Sequence, residues 1–116
     1  MNLPHLPPIL FAQKALEITP KTAKVSLLFP FLPTLGMFVE AAAQSSSVFA
    51  VNASQKGFIV SLKEIQLLKK STQLEMTAYL TIETRVGEFM EISFTITTYD
   101  KQEIFAMGKI ILNIRE

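Results

Sequence analysis

From Leu74 to Ile82 every second residue is apolar: Leu74, Met76, Ala78, Leu80 and Ile82 alternate with Glu75, Thr77, Tyr79 and Thr81. A period of two gathers all five apolar side chains on one face of an extended strand. The pattern recurs at Met90, Ile92, Phe94 and Ile96, which alternate with Glu91, Ser93, Thr95 and Thr97. Arg85-Val86-Gly87-Glu88, a compact turn containing glycine, joins the two runs, so they are expected to form a long antiparallel hairpin with one apolar face.

Around this hairpin the chain reads as further strands and one helix. Residues 11–19 and 22–29 flank Pro20-Lys21 and suit a first hairpin, although Lys14-Ala15-Leu16-Glu17 is equally good helix material. Pro30 and Pro33 interrupt pairing, and Thr34 suits the N-cap of a helix running to Val51. After the loop Asn52 to Gly57, a strand from Phe58 to Leu68 is less regular, because Ile65, Leu67 and Leu68 break its alternation. Tyr99-Asp100-Lys101-Gln102 makes the next turn, before a last strand from Glu103 to Ile114 that is apolar on both faces over Lys109 to Leu112. The order β-β-α-β-β-β-β gives an α+β fold in one domain, residues 1–116, without repeats or linkers.

The helix carries an oddity. At about 100° per residue, Met37, Glu40, Gln44 and Ser47 form one stripe, and Phe38, Ala42, Ser45 and Phe49 form another on the opposite side. A helix apolar or small nearly all round is expected to be buried. A buried, ionised carboxylate without a partner costs several kcal/mol or neutralises, so Glu40 needs either a partner or a purpose.

Composition removes several classes of function. With 49% apolar and only 18% charged residues, against roughly 25% charged in typical soluble domains, more surface than usual should be buried, and a second copy of the chain is the expected cover. The net charge of +1, with no basic cluster beyond Lys69-Lys70, lacks the electrostatic footprint of nucleic-acid binding. No cysteine and a single histidine, His5, leave no disulfide, thiol nucleophile or multi-histidine metal site within one chain. No cofactor is implied. The N-terminus lacks a charged segment and is broken by Pro4, Pro7 and Pro8, and no apolar run reaches membrane-spanning length. A soluble cytoplasmic protein is expected.

One apolar helix followed by a four-stranded antiparallel meander resembles the hotdog fold, in which a curved sheet, here of five to six strands, wraps a central helix. At residue level the chain resembles the 3-hydroxyacyl-acyl carrier protein dehydratases of fatty-acid synthesis. Leu3-Pro4-His5 with Pro8-Ile9-Leu10 is similar to their N-terminal Leu-Pro-His segment, Phe29-Pro30 to their Phe-Pro turn, and Val39-Glu40-Ala41-Ala42-Ala43-Gln44 to the Glu-Ala-x-Ala-Gln signature of their central helix. The resemblance implies that Glu40 is the helix carboxylate, with Gln44 one turn later, in a site at a dimer interface. It also implies a partner-subunit histidine from the turn before the helix, and this one does not carry over. An ungapped count puts Ser26 at its place, and anchoring on Phe29-Pro30 puts Leu28 there; neither shuttles a proton near neutral pH. His5 matches the family's N-terminal histidine, which is not the catalytic one. The glycine at the helix entrance, whose backbone N–H holds the thioester carbonyl, corresponds to Gly36 with a one-residue deletion.

The residues then support three readings. Free N–H groups around Leu35 to Met37 can polarise a thioester carbonyl, and Glu40, a turn further on, can act as general base or nucleophile. That is thioesterase chemistry on an acyl-coenzyme A or acyl carrier protein thioester, with Gly36, Gln44 and Ser47 on the substrate side. Dehydratase-like chemistry, with His5 or another group as the acid, is the second reading, and a non-catalytic acyl binder is the third. Against each role stands a plainer one: Glu40, Gln44 and Ser47 as polar groups bonded locally or across a dimer, His5 as a surface or capping residue, and Phe29, Phe31, Met37 and Phe38 as core rather than an acyl tunnel. The run Ser45-Ser46-Ser47 has no His or Asp nearby in sequence with which to build a hydrolase triad.

Overall fold

Six strands and one helix follow in the expected order: β1 (Ala12–Ile18), β2 (Thr22–Leu28), α1 (Leu35–Ser45) with a 3-10 turn at Ser46–Phe49, β3 (Lys56–Leu67), β4 (Glu75–Val86), β5 (Phe89–Thr97) and β6 (Ile104–Arg115). These come from a computed structural model that describes residues 10–49 and 56–115.

The alternating runs pair as their pattern dictates. Ala78 lies opposite Ile96, Leu80 opposite Phe94 and Ile82 opposite Ile92, so apolar side chains meet across the ladder on one face. The hairpin is longer than the alternation suggests. Arg85 and Val86 still pair, with Met90 and Phe89, and only Gly87-Glu88 turns, with Gly87 at φ +58°. A two-residue loop with positive φ matches the twist of the flanking strands.

All six strands form one antiparallel sheet in the order β1-β2-β4-β5-β6-β3. The expected four-stranded meander is therefore corrected to three strands, β4-β5-β6. A strand has two edges, and those of β4 are taken by β2, where Val25 meets Ala78, and by β5. β3 instead adds to the far side of β6, placing Ile59 opposite Leu112 and Leu62 opposite Ile110. The irregularity of β3 has a cause as well: the register slips between Lys63 and Gln66, and Glu64 takes φ +53°. This bulge carries Ile65 over Gly108, where an added Cβ would collide with the Ile65 side chain and lie 3.1 Å from its Cα.

The buried part of the sheet's inner face is apolar. Val25, Leu27, Ala78, Leu80, Ile92, Phe94, Ile96, Ile110 and Leu112 are buried there against Phe38, Ala41 and Ala42 of α1. Phe11, Phe29 and Phe38 stack in sequence, with ring centroids 5.1 and 5.6 Å apart and the second pair edge to face, which ties β1 and the Phe-Pro turn to the helix. Phe29 and Phe38 are thus core, while Phe31 is exposed.

The helix is shorter than its pattern implies, ending at Ser45 rather than Val51. Ser46 Oγ donates to the carbonyl of Ala43 at 2.5 Å, and serine hydroxyls that bond back to the preceding turn favour its tightening into a 3-10 geometry. The rest of the expected helix, residues 50–51, and loop residues 52–55 lie outside the described residues. No described helix is long and apolar enough to cross a membrane.

Candidate functional site

Because α1 lies on the concave face of the sheet, its two stripes meet different surroundings. Phe38, Ala41, Ala42 and Ser45 face the sheet and are buried. Met37 and Gln44 are half-buried, and Glu40 and Ser47 are exposed. The expectation of a helix buried all round is corrected by this: the sheet covers one side only, and Glu40 opens to solvent in the single chain. Its carboxylate escapes the desolvation cost and stands on an uncovered face.

The N-terminus of the helix is partly used up. Thr34 caps it, its Oγ1 accepting from Met37 N at 3.3 Å and its carbonyl from Phe38 N at 3.1 Å. The N–H groups of Leu35 and Gly36, which a helix cannot satisfy from within, have no partner among the described residues. Gly36 is exposed, and a Cβ built there would meet only Thr34 Oγ1, at 3.9 Å. Packing therefore does not demand glycine here, and the bare backbone leaves the N–H open to an approaching group.

Gln44 is the one expected site residue that the structure brings to Glu40. Its Nε2 lies 3.5 Å from Glu40 Oε1. Its Oε1 accepts from two backbone donors at the start of β1, Phe11 N at 2.7 Å and Ala12 N at 3.3 Å. These two backbone groups went unnoticed in the sequence, where no side-chain pattern marks them. Ser47 shares the stripe but lies two turns on, roughly 10 Å along the axis, and belongs to the 3-10 turn. Ser45 Oγ is buried with no partner among the described residues. It faces the sheet rather than Glu40, and no serine triad forms among the described residues.

The two positions aligned with the family's histidine lie on the outer side of the sheet. Ser26 Oγ donates to the carbonyl of Lys14 at 3.2 Å, and Leu28 is exposed; both lie on the face of β2 opposite the buried Val25 and Leu27, away from the helix. They line a groove of about 810 Å³ on the convex face with Gln13, Gln73, Glu75 and Tyr99. Beside it, Lys24 Nζ lies 4.3 Å from the Tyr99 ring centre and Lys101 Nζ 4.0 Å from that of Tyr79. His5 lies outside the described residues. Among the described residues, no group of three His, Cys, Asp or Glu side chains is arranged to hold a metal ion.

No model of a known protein family matches the sequence, and no curated protein matches it either. Solved structures do match in fold. A dehydratase heterocomplex of Xenorhabdus doucetiae superposes with a TM-score of 0.77 at 14% identity, over 98% of this chain and 88% of that one. A hypothetical thioesterase of Streptococcus pneumoniae, solved with coenzyme A, gives 0.71 at 10% identity over 88% and 84%. A thioesterase of Haemophilus influenzae gives 0.70 at 12% identity over 89% and 78%. At such identities the likeness establishes the architecture alone: a six-stranded antiparallel sheet around one helix, the hotdog fold.

Proposed function

We propose that this hotdog-fold chain binds an acyl thioester of coenzyme A or of an acyl carrier protein on the open face of α1 and hydrolyses it, working as at least a homodimer. The observation that carries the reading is the position of Glu40. It is an exposed carboxylate held toward Gln44, one helical turn beyond the N–H groups of Leu35 and Gly36, which have no partner among the described residues. Glu40 takes a proton from water, and the resulting hydroxide adds to the thioester carbonyl. The oxyanion so formed sits against the N–H groups of Leu35 and Gly36 and the positive end of the helix dipole. Collapse of the tetrahedral intermediate breaks the C–S bond, and Glu40 returns its proton to the departing thiolate, leaving a carboxylic acid and a free thiol. Coenzyme A in the pneumococcal neighbour and the thioesterase descriptions of that protein and the Haemophilus protein support this choice of ligand.

The test is steady-state hydrolysis of acyl-coenzyme A thioesters from C2 to C16 by the wild type beside Glu40→Gln. Wild-type turnover that falls on the order of 10²–10⁴-fold in the variant is expected. Undiminished hydrolysis by Glu40→Gln overturns the assignment.

A second reading is favoured by one observation. The matched Xenorhabdus assembly is a dehydratase heterocomplex, and neither Ser26 nor Leu28 of this chain offers an acid. On that reading a different hotdog chain supplies the proton donor, Glu40 acts on a 3-hydroxyacyl thioester, and the purified chain alone yields no enoyl product. Retained acyl chains in an inert preparation, found by mass spectrometry, would instead mark a non-catalytic binder.

A further inference from the structure

We infer that Gln44 is a positioning residue, whose amide is clamped by the backbone of β1 so that its N–H end faces Glu40 and holds that carboxylate in register for reaction. The inference rests on the catalytic reading of Glu40. Chemistry fixes the direction of the amide. Two backbone N–H groups, those of Phe11 and Ala12, converge on one Gln44 atom at 2.7 and 3.3 Å, and only the carbonyl oxygen can accept them. The NH2 group must then point the other way, and there it meets Glu40 Oε1 at 3.5 Å. That distance is long, as contacts in an unliganded site often are before substrate tightens them.

The clamp is built into the fold. β1 is an edge strand, and its register slips between Ala12 and Lys14, a bulge of the kind that leaves ladder groups unpaired. The carbonyl of Phe11 faces β2 and accepts from Leu28 N at 2.8 Å, so the strand keeps its place in the sheet while its N–H groups serve the helix. The Phe11 ring packs on Phe29, and Phe29 packs on Phe38 of α1, which fixes strand and helix relative to one another. Glu40 and Gln44 stand four residues apart, on one helical face. With its oxygen accepting from the start of β1 and its nitrogen facing the carboxylate, Gln44 is assigned to Glu40.

Two substitutions separate positioning from mere support of β1. Gln44→Ala removes both functions: kcat should fall by about 10-fold or more with KM within about 3-fold, and the amide protons of Phe11 and Ala12 should exchange faster. Gln44→Glu keeps an oxygen for the two N–H groups but loses the donor and sets a second negative charge beside Glu40. It should restore slow exchange and leave kcat low. Wild-type kcat in Gln44→Glu, or in Gln44→Ala, overturns the inference. If hydrolysis itself proves absent or independent of Glu40, the functional reading fails separately. The contact is then read directly, by whether the Gln44 side-chain NH2 resonances shift on Glu40→Gln and stay put on Glu17→Gln; unchanged resonances on Glu40→Gln overturn it.

Discussion

Gly108 illustrates how much one residue decides. On the inner face of β6, opposite Phe94, it is buried, and an added Cβ would run into the Ile65 side chain and crowd the Ile65 backbone. Gly108→Ala therefore forces β3 outward, and overpacking of this kind typically costs about 1–3 kcal/mol. Urea unfolding should show a lower midpoint at an unchanged slope. Asp100 is a different case, because charge rather than volume governs it. The hydroxyl of Thr98 donates to its carboxylate at 2.7 Å and the N–H of Gln102 at 3.1 Å, and these bonds, the Thr98 hydroxyl first, hold its pKa below the ordinary carboxylate value. A lowered folded-state value means that the turn gains from ionisation above the unfolded value of about 3.9 and loses that gain as pH falls through the folded one. The amide resonance of Gln102 should hold steady on acidification to about the ordinary carboxylate value and move only below it. Thr98→Ala should bring that movement to higher pH.

At the scale of elements, the β4–β5 turn and the helix behave in opposite ways toward substitution. Gly87 holds φ +58°, and a Cβ added there would have nothing within 4 Å, so Gly87→Ala pays only for its backbone conformation, about 1 kcal/mol. Gly87→Asn should cost less, since asparagine tolerates the left-handed region, and the order of melting temperatures, Gly above Asn above Ala, checks the account. The same hairpin explains why sequence reading worked where it did. The alternation from Leu74 to Ile82 and from Met90 to Thr97 is local information, and burial on one face of a sheet makes register depend on it. Which strand lies beside β6 is not local: the choice of β3 over β4 is settled by edges filled from β2, some fifty residues away along the chain. The helix stripe containing Glu40 and Gln44 was likewise legible from a 100° period. Which stripe the sheet would cover was not, because Phe38, Ala41 and Ala42 win that face in a helix that packs on strands lying both before and after it in the chain. Nor was the clamp on Gln44, since backbone N–H groups carry no side-chain signature.

For the whole molecule, the two edges of the sheet, β1 and β3, have no further strand beside them among the described residues, and they are unequal. β1 is seven residues long and slips register twice, which blunts an edge against pairing. β3 is twelve residues long, and its residues paired with the buried face of β6 leave apolar surface uncovered: Ile59 is 38% exposed, Leu62 49% and Leu67 50%. A low charged fraction of 18% gives the chain little repulsion with which to keep such an edge apart. The proposed homodimer therefore buries β3, an isologous contact in which two-fold symmetry sets the strand against its own copy. Light scattering coupled to gel filtration should report at least twice the single-chain mass of 13.0 kDa. Leu62→Lys, which sets a charge on the uncovered face without touching the core, should shift the population toward single chains while leaving the circular dichroism spectrum in place. A wild type that runs as a monomer at micromolar concentration would remove the pairing. A Leu62→Lys variant that stays dimeric would move the contact off β3 and onto the open face of α1, where Glu40 would be the residue to lose its solvent.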